Sequence, residues 1–371
     1  MNGTLTKILS EIIHIQSISG QEAEVFAYIS RKLKVMNITI EQTSTFISTC
    51  IPGVDREHAL IFNAHVDTVE AGNLAFWDHD PFSATWKKNK LYGLGASDEK
   101  GAVAILLTLV QSLLKAKPAV DVWLTFVGQE ETTGQGTQDF LSLFIAKYKK
   151  LYKNIAAVIC EPTASKNIGI GHKGNLFIKL TTQGESGHGS RPDLVSRHAV
   201  FTMFAALEKL KAKFPVWEAQ FSDKLLGQPS CAFATSIAAG SPTQPNKFPD
   251  QCSVTCDIRT TPDFHSQAIN LIKKALPKVK VELVFPPFPP SQTENTESIV
   301  RKAQQLTKGK LFAFPASCDL CFFTEAHIPA IILGPGDPAQ MHKPNESVPI
   351  KNLKRSLELY QRLALEWNEG H

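Results

Sequence analysis

Residues 101–131 read GAVAILLTLVQSLLKAKPAVDVWLTFVGQEE. The apolar stretch at 101–114 has the length and composition of a buried helix. The run VWLTFV at 122–127 has the length and the β-branched and aromatic content of a buried strand. The lysines and proline at 115–118 punctuate the two. Directly after the strand come Gly128, Gln129, Glu130 and Glu131. Adjacent carboxylates repel unless something positive lies close by. Residues leaving a strand point to different sides, so one carboxylate can face a cation while the other faces bound water as a base. An exposed acidic turn is the plainer alternative for the same pair.

The same order recurs on either side. Apolar strands are expected at 59–63 (ALIFN) and 155–160 (IAAVIC), and a helix at 137–148. Strands alternating with helices define an α/β fold with a mixed, mostly parallel sheet flanked by helices. Beyond His172-Lys173-Gly174 the pattern changes. Strands are expected at 176–182, 231–239, 252–259 and 279–285, with one helix from near Arg197 and another after Pro262. That order describes an α+β domain, two helices on a small antiparallel sheet. After the proline-rich PPFPP at 286–290, α/β character returns, with a helix at 297–306, the strand AIIL at 330–333 and a last helix from about Ile350. The expected organisation is a discontinuous catalytic domain, 1–174 and 287–371, with residues 175–286 inserted.

Among 371 residues, 43% are hydrophobic and 20% charged, the balance of a folded chain with a sizeable core. The net charge is +4 and the charges are interspersed, so no basic block points to nucleic acid or a membrane surface. The N-terminal MNGTLTKILSEIIHIQS lacks the continuous apolar core of a secretory signal and places Leu5, Ile8, Leu9, Ile12 and Ile13 on one helical face. No stretch approaches the roughly 18 apolar residues of a membrane span. Seven cysteines, an odd number scattered along the chain, fit a reducing cytoplasm better than a disulfide framework.

Four further segments carry metal-type side chains at strand ends or in loops, where open parallel sheets gather their sites. His65 and Asp67 follow the strand at 59–63; a metal-bound imidazole commonly passes its second N–H to a carboxylate, and His-x-Asp supplies one, although it also suits ordinary loop polarity. Asp98 lies in the glycine-flanked loop GLGASDEKG, where a carboxylate could bridge two cations and where Ser97 or Asp98 could equally cap the following helix. That loop lacks both dinucleotide and phosphate-loop spacing. Glu161 ends the strand at 155–160, where a buried carboxylate needs a cation or water, and His342 follows the loop at 332–337. Cys318-x-x-Cys321 offers a redox or zinc spacing that ordinary reduced thiols share. Imidazole mixed with carboxylate oxygen suits Zn²⁺, Mn²⁺ or Co²⁺.

In this order the segments resemble the dizinc aminoacylase and exopeptidase family, peptidase family M20, over nearly the whole chain. The resemblance implies a zinc-exopeptidase-like fold whose inserted domain is a lid or dimerisation element of a homodimer. It implies two divalent ions, zinc first and cobalt or manganese next. Asp98 then bridges them, His65 and Glu161 complete one site, Glu131 and His342 the other, Asp67 orients His65, and Glu130 is the general base. The motif Gly187-His188-Gly189-Ser190 is similar to the one whose histidine reaches the substrate carbonyl, in many cases from the partner subunit. Asn246 matches the family's Asn-x-x-Pro segment, and Arg259 its carboxylate-binding arginine. The implied activity is hydrolysis of the amide of an N-acyl amino acid. N-acetyl-ornithine is the first expectation, from the resemblance of HKG at 172–174, ILGPGD at 332–337 and Gln340-Met341-His342, and would place the enzyme in arginine biosynthesis. N-succinyl-diaminopimelate, or the substrates of a metallo-dipeptidase or carboxypeptidase of the same family, are the alternatives. Two positions depart from the family: Glu99 stands where Met is frequent, and Asn345 where Asp is common.

Overall fold

A computed structural model describes residues 2–368. In chain order its principal elements begin with α1 (Asn2–Ile13), α2 (Ala23–Val35), β1 (Phe46–Ile51), β2 (Asp55–His65), α3 (Lys100–Leu113) and β3 (Val120–Val127). Next come α4 (Gln135–Lys147), β4 (Asn154–Ile159), β5 (Ile168–His172), β6 (Gly174–Gln183) and α5 (Ala199–Gln220). The chain continues through β7 (Ser230–Ala239), β8 (Gln251–Thr260), α6 (Ala268–Ala275), β9 (Lys280–Leu283), α7 (Ser298–Thr307), β10 (Ala330–Ile332) and α8 (Ile350–Glu366). Two compact units result: 1–171 with 292–314 and 318–371, and 172–291 with 315–317.

In the first unit the strands run β1-β3-β2-β4-β10-β5. The four central strands are parallel, and β1 and β5 join antiparallel at the two sides. All eight residues of β3 are buried, as a strand covered on both faces requires. The apolar α3 is buried on nearly every side because α1 and α8 pack against it. Each such core side chain contributes about 1.5–3 kcal/mol relative to exposure. The register matters for function: His65 pairs with Val127, Asn63 with Ile159, and Ile159 with Ile332. Four strands therefore end on one rim, and the segments leaving it carry Asp67, Glu130, Glu131 and Glu161.

The second unit is a four-stranded antiparallel sheet, β7-β8-β6-β9. One face is covered by α5, which buries Ala199, Met203, Ala206, Leu210, Phe214 and Trp217 at helical spacing, together with α6. In β8 burial alternates, with Cys252, Val254, Cys256 and Ile258 inward, so Asp257 and Arg259 share the opposite face. The helix expected after Pro262 is divided, a turn at Pro262–His265 preceding α6. Entry and exit of this unit are tied: Asn175 N donates to Phe288 O at 2.9 Å, and Phe288 N to Asn175 Oδ1 at 3.0 Å. Among the described residues no helix is long and apolar enough to cross a membrane.

Candidate metal centre and active site

His65 ends β2 with its side chain buried. Its Nδ1 lies 3.0 Å from the carbonyl oxygen of Asp67 and 3.6 Å from Asp67 Oδ1, while Nε2 is 3.1 Å from Asp98 Oδ1 and 3.9 Å from Glu161 Oε1. With its proton on Nδ1, engaged by Asp67, the ring would offer Nε2 to a cation shared with the carboxylate oxygens it faces. The other oxygen of Asp98 lies 3.7 Å from His342 Nε2, so one carboxylate turns an oxygen toward each histidine. His342 Nε2 is also 3.0 Å from Glu131 Oε2.

The donor atoms of His65, Glu130 and Glu161 all lie within 4.8 Å of one another, and so do those of His65, Asp98 and Glu131. The five residues expected to hold two ions, with the expected base Glu130, are thus brought to one rim of the sheet from five separate stretches of sequence. Glu130 is close enough to His65 and Glu161 to reach water held between them.

The electrostatics demand positive charge here. Burial, then neighbouring carboxylates, pushes Glu161 and Glu130 well above the usual range; Glu131 is raised as well, by burial and then by Asp98. His342 is pushed up to about 9, chiefly by its bond to Glu131. Burial alone would depress His65, yet the surrounding carboxylates raise it well above 6.5. Lys100 is buried beside the loop of Asp98, but its Nζ donates to the carbonyls of Ile15 (2.7 Å) and Ile12 (3.4 Å). Two imidazoles and several crowded carboxylates, without a lysine or arginine paired to them among the described residues, form a donor set that fits divalent cations.

Backbone amides hold the ligand-bearing loops. Asp67 Oδ1 accepts from Glu130 N and Oδ2 from Glu131 N, both at 3.2 Å, so the residue expected to orient His65 also fixes the two glutamates. Its own carboxyl is raised by burial, but the His65 bond and the other donors outweigh this and leave it below the usual range. The helix-cap reading of the Asp98 loop does not hold: α3 starts at Lys100, its N-cap position is Glu99, and no side chain caps it. What holds that loop is Glu346, which accepts from Gly95 N (3.0 Å), Ser97 N (2.7 Å) and Asp98 N (2.9 Å). Burial, then Asp98, pushes Glu346 up to about 8.

Glu346 was invisible to sequence reasoning, being a single acid in a loop with no local pattern. Asp319 also escaped it. It is buried, its Oδ2 accepts from Thr137 Oγ1 (2.6 Å) and Asn63 Nδ2 (3.1 Å), and burial pushes it up to about 6. The two departures acquire roles. Glu99 is buried and accepts the backbone amide of His65 at 2.5 Å. Asn345 accepts from Asp78 N (2.8 Å) and donates to Phe76 O (3.2 Å), tying the loop at 73–78 to the one carrying His342. Cys318 and Cys321 are buried free thiols, pushed well above their usual range by burial, which opposes thiolate chemistry.

The second unit gathers the remaining expected residues in two places. His188 sits on a two-residue strand, Gly187–His188, paired with Lys247–Phe248. Its Nδ1 is 2.8 Å from Ser190 Oγ, and Gly189 N donates to Asn246 O at 2.7 Å. His188 and Asn246, far apart in sequence, line one cavity of about 480 Å³ with Ser186, Gly187, Gln244 and Lys247. Arg259 does not line it. Its guanidinium bonds to Asp257 Oδ2 (2.8 Å) and Ser317 Oγ (3.4 Å) and lies 5.8 Å from the Phe177 ring centre.

A histidine and carboxylate cluster on the strand-end rim of a parallel-centred sheet is a donor set for divalent cations, and the family to which the chain belongs is one of metal-dependent amide-bond hydrolases. The chain belongs to the family Peptidase family M20/M25/M40, whose model matches residues 61–366. It is 27% identical over 325 residues to the acetylornithine deacetylase of Buchnera aphidicola subsp. Schizaphis graminum, covering 83% of this chain and 81% of the relative. To that of Pectobacterium carotovorum it is 26% identical over 315 residues, covering 82% and 79%. Among solved structures, an M20 family metallo-carboxypeptidase from Sulfolobus solfataricus superposes with a TM-score of 0.75 at 20% identity, covering 96% of this chain and 97% of the other. A dipeptidase from Saccharomyces cerevisiae superposes with a TM-score of 0.78 at 15% identity, covering 97% and 94%.

Proposed function

We propose that the protein hydrolyses the amide of a small N-acyl amino acid, N-acetyl-ornithine first, using two zinc ions. The observation that supports this most directly is Asp98, which turns one oxygen to His65 at 3.1 Å and the other to His342 at 3.7 Å. A carboxylate so placed suits the bridge between two cations, with Glu161 beside His65 and Glu131 beside His342. The similarity to acetylornithine deacetylases supports the choice of substrate.

Two divalent ions, held by His65, Asp98, Glu131, Glu161 and His342, would lower the pKa of a water from 15.7 toward about 7 and polarise the amide carbonyl. The chain's own groups do the rest. Glu130 takes the proton of the attacking water, holds it on a carboxyl whose burial favours the neutral form, and delivers it to the departing amine. Asp67 keeps the His65 ring in one tautomer and orientation. His188 and Asn246 stabilise the oxyanion, each donor typically contributing about 3 kcal/mol. Arg259 holds the substrate α-carboxylate, which favours N-acyl amino acids over internal peptide bonds. The inserted unit serves as lid and dimerisation element in a cytoplasmic homodimer of arginine biosynthesis.

A second reading, hydrolysis of N-succinyl-diaminopimelate or of dipeptides, uses the same centre and is favoured by the fold likeness to peptidases. A panel of N-acetyl-ornithine, N-succinyl-diaminopimelate and simple dipeptides, assayed with added zinc, decides between them. The first reading requires the highest kcat/KM on N-acetyl-ornithine, and a preference for either other class overturns it.

A further inference from the structure

The turn that presents Glu130 and Glu131 begins at Gly128 and passes through Gln129, whose φ of 60° lies in the left-handed region that non-glycine residues seldom occupy. Something must hold it there. The carboxylate of Glu22 is buried beneath the turn, 4% exposed, and its Oε1 accepts from Gln129 N at 3.0 Å and from Gly20 N at 2.7 Å. A Cβ on Gly128 would come within 3.1 Å of Glu22 Cδ and Oε1, so the chain closes directly onto this carboxylate.

The rest of the segment at 17–22 is docked just as closely on the other side of the centre. Ser17 Oγ donates to Val66 O (2.7 Å), Thr68 N to Ser17 O (2.9 Å), and Ser19 N to Thr68 O (3.2 Å). Ser19 Oγ donates to Asp67 Oδ2 at 2.6 Å, the same oxygen that accepts from Glu131 N. One short stretch between α1 and α2 thus grips both the segment after β2 and the turn after β3.

We propose that Glu22 is a positioning residue for the reaction, fixing the 129–131 turn through the Gln129 amide so that Glu130 and Glu131 keep their placement. The proposal rests on the base and ligand roles given above to those two glutamates. Glu22 needs only one acceptor oxygen for this task, and Gln offers one at the same reach, whereas Ala offers none. A displacement of about 1 Å in a reacting group can cost roughly a hundredfold in rate.

The test compares wild type, Glu22→Ala and Glu22→Gln with both metal sites loaded with Co²⁺. It reads hydrogen exchange of the amides at 128–131, the visible Co²⁺ spectrum, and kcat and KM. In Glu22→Ala, exchange at 128–131 is expected to accelerate by about tenfold or more and the spectrum to change, while kcat falls by roughly 10–100-fold with KM held within about twofold. Glu22→Gln is expected to restore kcat to within about threefold of wild type. Ser19→Ala, which leaves the Gln129 bond in place, should leave exchange of that amide unchanged, and it supplies the contrast if Glu22→Ala folds poorly. Unchanged exchange and spectrum in Glu22→Ala, or a Glu22→Gln variant as impaired as Glu22→Ala, overturns the proposal. If wild type hydrolyses no N-acyl amino acid while the exchange and spectral changes occur, the functional reading fails and the positioning role stands.

Discussion

His342 Nε2 lies 3.0 Å from Glu131 Oε2, although 211 residues separate them. On the proposed reading the pair belongs to one half of the metal centre, and Asp98 joins it to the half built on His65. Replacing His342 or Glu131 with Ala is therefore expected to lower bound metal from two ions per chain toward one, measured by elemental analysis after dialysis. The double variant should lose little beyond either single one, because both changes empty the same position. Two ions retained in either single variant contradicts the assignment.

Glu130 stands apart in its expected response. Glu130→Ala should retain both ions while kcat falls by about 10²–10⁴-fold, the usual worth of a positioned acid–base group. Turnover near that of wild type removes the base role, and loss of an ion shows that Glu130 is a ligand instead.

Removing the metal should destabilise as well as inactivate. Without cations the crowded carboxylates around His65 face each other, and ligand binding at a hundred times Kd stabilises a fold by about 2.7 kcal/mol. Exhaustive chelation is expected to abolish activity and lower the melting midpoint, with both restored by zinc. Full activity after chelation contradicts the metal centre.

For Arg259 the prediction concerns recognition. Arg259→Ala is expected to raise KM by about 10–100-fold for substrates bearing an α-carboxylate, the range for hydrogen bonds to charged groups. It should spare the corresponding amides that lack the carboxylate. Arg259→Lys should recover only part of the loss, since an ammonium cannot reproduce the two-pronged contact. Equal effects on both substrate sets would assign Arg259 to the sheet rather than to the substrate.

Acid stability should depend on His265, whose Nδ1 lies 2.7 Å from Thr260 Oγ1 and whose pKa is held down by burial. The unfolded chain titrates near 6.5, so below that value it binds protons that the folded chain refuses. Stability from this group is complete above about pH 6.5 and declines as pH falls through the lower folded value. A His265→Gln variant should show a shallower loss of melting midpoint on acidification; an identical slope contradicts this.

The parts of the fold legible in the sequence were those whose burial is complete. The buried part of β2 (ALIF) and most of β3 (VWLTFV) show as largely apolar runs because both faces are covered, and Glu130, Glu131 and Glu161 stood out because acids lie at or just beyond the ends of such runs. β1 (FISTCI) was missed: its Ser48 and Thr49 are buried too, and hydroxyls in a core strand erase the apolar signal. β5 (IGIGH) was hidden by glycines, one of which, Gly169, has Ile332 too close for any side chain. Glu346, Asp319 and Glu22 were illegible for a different reason. Each acts by accepting hydrogen bonds from distant segments, a property that no local pattern records.

The clasp between Asn175 and Phe288 brings the ends of the inserted sheet side by side. A segment that enters and leaves at neighbouring points can be exchanged for another without shifting the strands of its host. On the proposed reading, in which the insert contributes to substrate choice, that choice can diversify while the rim of the host sheet stays as it is, and grafting inserts between relatives becomes a practical route to new preferences.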